Sequence, residues 1–300
     1  MHFIWLGHGS FRLETGAARI LIDPWLTGNP MLEESQHETA TAGATHILLT
    51  HCHFDHVVDV LPLARRLEIP VIGQFDVMKY WGEHENVETI GFNKGGTVEA
   101  AGVHLTMVPA SHSSTFGSDS GPQAAGSEVG YMIAAEGKVI YLSGDTTIMA
   151  DMDWMGDYHK PQIGILSAGG HFTMDMRRVA YACKTFFDFK TVIPCHYRTF
   201  PLLEQSAEEL VKALPGVDVI EPEVMTPITP GRNGIGRLRD GSNSPSAASA
   251  RRRFSSIAIN APAPATSIAS TFRLYFDCAP KPDSLPVTIT SMPSSGSTES

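Results

Sequence analysis

Short apolar runs separated by glycine and polar turns dominate the first half of the chain. Residues 3–6 and 11–13 flank Gly7-His8-Gly9-Ser10, which predicts two strands joined by a tight turn. A third strand over 18–22 ends at Asp23. The run Ile47-Leu48-Leu49 is apolar at every position, as expected of a parallel strand buried on both faces. Residues 57–67 then carry apolar positions at helical spacing. Strands are predicted at 70–73, 87–90 and within 97–108, with a helix over 75–82. Residues 129–134 and 138–142, separated by Glu136-Gly137, read as a hairpin. Strand and helix alternate from there, with helices over 149–157, 174–187 and 206–214 and strands over 163–167, 192–194 and 217–220. The last helix has a capping-type start, Ser206-Ala207-Glu208-Glu209, and a glycine stop at Gly216. Strands first and alternation second predict two sheets sandwiched between helices.

Two connections are too long to be simple turns. Residues 24–44 form a polar link, and connections of that length inside a compact domain are usually functional or mobile. Residues 115–127, rich in Gly, Ser and Ala, follow His112 directly and read as either a substrate-side flap or an insertion without a role. Beyond about residue 229 periodicity vanishes and Ser, Ala, Pro and Gly take over. The expected division is a folded domain over 1–228 and a low-complexity, disordered tail over 229–300. Arg251-Arg252-Arg253-Phe254 reads there as a solvated charge run.

Composition narrows the class. A hydrophobic share of 42% is ordinary for a globular protein. From Gly231 onward the chain carries 8 of its 22 Lys+Arg and 4 of its 32 Asp+Glu, leaving 14 and 28 before it and a net charge of −14 there. A body this acidic suits a small-molecule substrate better than nucleic acid or an anionic membrane. Cys52, Cys183, Cys195 and Cys278 show no paired spacing and no disulfide framework. With no signal-peptide pattern and no spanning apolar run, a cytoplasmic location is expected. Oligomeric state has no signature.

The chemistry concentrates in Thr50-His51-Cys52-His53-Phe54-Asp55-His56. On an extended segment His51 and His53 point to one side, and Cys52 points away as a packed thiol. Asp55 and His56 follow a turn and can reach a second ion. This loop joins a predicted strand to a predicted helix, where α/β folds place their chemistry. Three further metal-ligand types stand at predicted strand ends: His112 after Pro109, Asp145 after Leu142 and His196 after Pro194.

His51-Cys52-His53-Phe54-Asp55-His56 matches the H-x-H-x-D-H signature of the metallo-β-lactamase superfamily. The chain resembles its metal-dependent hydrolase branch, whose cousins include the ascorbate-6-phosphate lactonases. Other strings recur in family order over residues 1–228, among them Trp5-Leu6-Gly7-His8, Leu21-Ile22-Asp23-Pro24, Pro109-Ala110-Ser111-His112, Ser143-Gly144-Asp145-Thr146 and Ile193-Pro194-Cys195-His196-Tyr197. The resemblance implies a four-layer αββα fold and two divalent ions, Zn by prevalence with Mn and Fe accepted by the same ligands. It assigns His51, His53 and His112 to the first ion, Asp55, His56 and His196 to the second, and Asp145 to both. It makes Asp23 a brace for the His loop and sets His8 near the metals.

The activity implied is attack by a metal-bound hydroxide on a small ester, lactone or phosphoester. The catalytic candidates are Asp55 and His171, the latter as proton donor to the leaving group with Tyr197 as competitor. Gly170-His171 stands where relatives often carry Asp-Asn or Asp-Arg. Two alternatives share the scaffold: a diiron-type oxidoreductase, whose members carry Glu where this chain has His53, and a non-catalytic metal-binding regulatory protein.

Overall fold

The computed structural model describes residues 1–117 and 121–230. The predicted tail therefore falls, after Pro230, outside the described residues.

The first sheet is built from β1 (His2–Gly7), β2 (Ser10–Thr15), β3 (Ala18–Ile22), β4 (His46–Leu48), β5 (Val71–Gln74) and β6 (Thr89–Phe92). The second begins with β7 (Thr97–Ala100) and β8 (Val103–Pro109), and a small ribbon of β9 (Thr115–Phe116) and β10 (Gln123–Ala124) follows. β11 (Val129–Ala135), β12 (Lys138–Leu142), β13 (Ile163–Ser167), β14 (Thr191–Cys195) and β15 (Asp218–Val219) complete the second sheet, and β16 (Pro227–Ile228) returns to the first. The orders are β16-β1-β2-β3-β4-β5-β6 and β15-β14-β13-β12-β11-β8-β7.

Strand alternation explains the layering. Ile20, Ile22 and Leu48 point into the core shared with Leu105, Tyr131 and Ile133 of the second sheet. Leu21, Ile47 and Leu49 point outward onto α3 (Val60–Leu67) and α4 (Phe75–His84). α5 (Asp151–His159), α6 (Met176–Phe186) and α7 (Glu208–Ala213) cover the other sheet. This is the four-layer αββα sandwich. Across its centre the buried Tyr131 hydroxyl donates to Leu49 O at 2.7 Å, so the one polar atom that this core residue carries is satisfied.

Topology decides where the chemistry lies. β1, β3 and β4 run in one direction because β2 is antiparallel to both its neighbours and β3 pairs with β4 in parallel. The same reasoning aligns β8, β12, β13 and β14 through the antiparallel β11. The carboxyl ends of all seven strands consequently open along one edge of the sandwich. That edge carries His8, Asp23, His51, His112, Asp145 and His196.

The structure revises three local expectations. The helix predicted over 57–67 is two, α2 (Phe54–Val57) and α3, separated at Asp59. Asp59 is buried and its carboxylate accepts from Leu26 N, Thr27 N and Thr27 Oγ1 at 2.6–2.8 Å, holding the connection over 24–44 against the domain. That connection is not a free polar loop: Trp25, Leu26, Leu32 and Ala40 are core residues, and it contains α1 (His37–Thr41). The described residues of the segment 115–127 are likewise anchored. Ala125 packs in the outer core, its N–H donates to Ser114 O, and Phe116 lies against Trp81. Among the described residues no helix is long and apolar enough to cross a membrane.

Candidate metal centre

His51 leaves the end of β4, and its ring lies 4.7 Å from that of His53. Cys52, between them, turns into the outer core, where burial pushes its thiol up to about 12. His53 is the N-cap of α2, so Asp55 and His56 project from the first turn of a helix that begins inside the motif. Gly144, at φ +58°, admits Asp145 from the second sheet, and a Cβ on it would stand 2.6 Å from Val129 O and 3.0 Å from Thr50 Cβ.

All seven predicted metal-ligand residues meet at this edge. Oδ2 of Asp145 lies 3.0 Å from His196 Nε2, 3.4 Å from His56 Nε2, 3.7 Å from His112 Nε2 and 3.9 Å from His51 Nε2. On one side, His51, His53 and His112 bring ligand atoms to within 4.8 Å of one another; on the other, Asp55, His56 and His196 do the same together with His8.

The two sides differ electrically. Burial holds the imidazoles of His51, His53 and His112 below their ordinary range, which leaves lone pairs free to bind a cation. Burial also opposes charge on His56 and His196, but there the carboxylates outweigh it. Asp145, Asp55 and Asp23 draw His56 well above its usual range, and Asp145 and Asp55 draw His196 up to about 9. Buried carboxylates need a partner of opposite charge, and protons on these two imidazoles supply it.

Hydrogen bonds outside the cluster fix which nitrogen faces inward. Asp23 accepts from Thr50 N at 2.7 Å, Thr50 Oγ1 at 2.6 Å and His56 Nδ1 at 2.8 Å. Since the Thr50 hydroxyl gives its proton to Asp23, it can only accept from His51 Nδ1, 3.0 Å away. Asp23 thus turns the Nε2 atoms of both histidines toward Asp145. Nε2 of His56 is buried without a hydrogen-bond partner, 3.4 Å from Asp145 and 3.6 Å from Asp55. An orphaned buried nitrogen between two carboxylates fits a divalent ion, and imidazole with carboxylate is a donor set that Zn, Mn and Fe accept.

His8 is a residue whose role the sequence left open. Its backbone is left-handed at φ +53°, its carbonyl accepts from His196 N at 3.0 Å, and its ring lies 3.8 Å from that of His196. Nε2 of His8 meets Asp55 Oδ2 at 2.8 Å and Nδ1 meets Thr199 Oγ1 at 2.8 Å. Burial lowers His8 to about 4, so it is neutral; with Asp55 able only to accept, the proton sits on Nε2. Thr199 carried no sequence signal, because 191 residues separate it from His8.

The structure does not bring His171 into the cluster. It is exposed, edge-on to Phe172 at 4.6 Å, and lines a cleft of about 490 Å³ with Asp175, Leu202 and Glu204. Gly169 in the same cleft abuts the cluster, since a Cβ there would stand 2.2 Å from His196 O. Tyr197 is removed from the site altogether. Its ring stacks on Trp5 at 5.9 Å beneath the Arg198 guanidinium, and burial raises its hydroxyl far above the range of a useful acid.

The family pattern described as Beta-lactamase superfamily domain matches residues 18–197. The chain is 70% identical over 228 residues to the UPF0173 metal-dependent hydrolase TM1040_1920 of Ruegeria sp. (strain TM1040), covering 76% of this chain and 99% of that one. It is 71% identical to SPO2976, a hydrolase of the same designation from Ruegeria pomeroyi, with the same coverage. Among solved structures, the metallo hydrolase Igni18 of Ignicoccus hospitalis KIN4/I superposes with a TM-score of 0.66 at 28% identity, covering 76% of this chain and 97% of that one. With its two-sheet sandwich and a His/Asp cluster suited to metal on the shared strand edge, the chain belongs to the metallo-β-lactamase superfamily, as one of its metal-dependent hydrolases.

Proposed function

We propose that the centre holds two divalent ions, with His51, His53 and His112 on one, Asp55, His56 and His196 on the other, and Asp145 shared. On this reading the protein hydrolyses a small ester, lactone or phosphoester. The supporting observation is the position of Asp145 Oδ2, within 3.9 Å of imidazole nitrogens from both sides of the cluster. When bound, the ions would activate water as the nucleophile and polarise the group it attacks.

The chain's own residues divide the remaining work. Asp23 orients His51 and His56, while His8 fixes the carboxylate of Asp55 through its Nε2 proton. His53 and His112 are only partly buried, so their side of the centre is open to water. His171, at the rim beside Gly169, is the proposed proton donor to the leaving group.

Elemental analysis of the purified protein tests the metal reading, with close to two divalent ions per chain expected and fewer in Asp145→Ala. Retention of a single ion in both proteins would remove the dinuclear reading. A panel of lactones, phosphodiesters and carboxylic esters, assayed with the metal-loaded protein, tests the reaction class.

A further inference from the structure

Phe54 stands inside the ligand motif, yet its side chain does not join the cluster. Its neighbours His53 and Asp55 turn inward, and Phe54 is 56% exposed. A lone exposed phenylalanine is common and needs no explanation. This one is continuous with a wall that ends on the metal centre. Its ring lies edge-on to Trp25 at 5.6 Å, Trp25 lies 6.0 Å from Phe200, and both Trp25 and Phe200 meet the ring of His8, at 5.3 and 5.7 Å. His8 in turn bonds Asp55 at 2.8 Å.

The wall is apolar by construction. Trp25 is its buried backing, 4% exposed and with its indole N–H spent on Thr27 O at 3.0 Å, while Phe54 and the partly buried Phe200 reach the surface on either side of it. Trp25 is also held from behind, its backbone N–H donating to Ser10 Oγ at 3.0 Å and the following N–H groups to Asp59. Phe54 begins α2, the helix that carries Asp55 and His56, so this end of the wall is built into the same turn as two of the cluster residues. None of the three rings carries charge, and a phosphate or carboxylate would find no partner among them. An apolar ring or chain would meet the exposed Phe54 beside His53 and Asp55, and Phe200 beside His8.

We propose that Phe54 and Phe200, backed by the buried Trp25, seat an apolar flank of the substrate, aryl or alkyl, next to the bond that is cleaved. This inference rests on the metal-centre reading of the adjacent residues and adds to it the class of substrate that the centre selects.

The test is a pair of hydroxamates that share one metal-binding group and differ in their flank. Acetohydroxamate and phenylacetohydroxamate are titrated calorimetrically into the zinc-loaded protein, and the ratio of their Kd values is read. The phenyl compound is expected to bind about tenfold more tightly or better, the gain from burying one ring after ordering costs. Phe54→Ala and Phe200→Ala are expected to bring the ratio toward one, with metal content by elemental analysis confirming that each variant is folded and loaded. Equal Kd values in the unaltered protein, no measurable binding of the phenyl compound, or a ratio preserved in both variants would overturn the proposal. Hydrolysis is scored separately: a protein that cleaves none of the panel but keeps the ratio retains the wall and loses the hydrolytic reading.

Discussion

Nδ1 of His56 donates to Oδ2 of Asp23 at 2.8 Å, and through this bond a residue at the end of β3 decides what a helix on the next connection presents to the site. The same carboxylate reaches His51 through Thr50. Asp23→Ala frees both rings to rotate and is expected to weaken metal affinity by about 10- to 100-fold. Competition against a chromogenic chelator measures it. An unchanged affinity would mean that packing alone orients the imidazoles.

Metal binding should release protons. In the metal-free protein His196 is drawn up to about 9, so at pH 7 it holds a proton that a metal must displace. A raised folded pKa adds stability to the metal-free protein that is full below about 6.5 and fades as pH rises through about 9. Zinc titrations at pH 7 in two buffers of different ionisation enthalpy should therefore show release of about one proton per chain or more. The number should fall as pH approaches and passes 9. Proton uptake, or a number independent of pH, would contradict this assignment.

Asp59 closes the connection over 24–44 with three hydrogen bonds, one of them to the buried N–H of Leu26. Asp59→Ala leaves these donors without an acceptor, at a cost of about 1–3 kcal/mol for a buried group. Urea unfolding should show a lower midpoint with metal content retained, because no ligand is touched. The hydroxamate ratio should fall as well, since the residues that follow Trp25 lose their anchor and Trp25 backs the wall.

His171→Ala addresses the leaving group. If the imidazole gives its proton there, turnover should drop by about a hundredfold on esters with poor leaving groups and hardly at all on nitrophenyl esters. Metal content should not change. Equal losses on both substrate types would make His171 a positioning residue, and no loss on either would return the proton to another group.

The sequence alone determined the layered fold, because strand and helix periods are local. The apolar runs over 20–22 and 47–49 predicted strands, the second buried on both faces, and the structure puts Ile20, Ile22 and Leu48 in one core and Leu21, Ile47 and Leu49 in the other. Metal-ligand residue types packed into one hexapeptide were legible for the same reason. His112, Asp145 and His196 were legible only through the family resemblance and their place at strand ends, since composition says nothing about which ends share an edge. The tertiary structure decided the rest. Long-range pairs such as His8 with Thr199 and Asp59 with Leu26 have no period to betray them. The break between α2 and α3 was hidden because Asp59 satisfies polar groups far along the chain, and helical spacing alone runs straight through it. The aromatic wall is the clearest case: Trp25, Phe54 and Phe200 come from three separate connections, and only the topology that brings the carboxyl ends of β3, β4 and β14 to one edge carries those connections to one place.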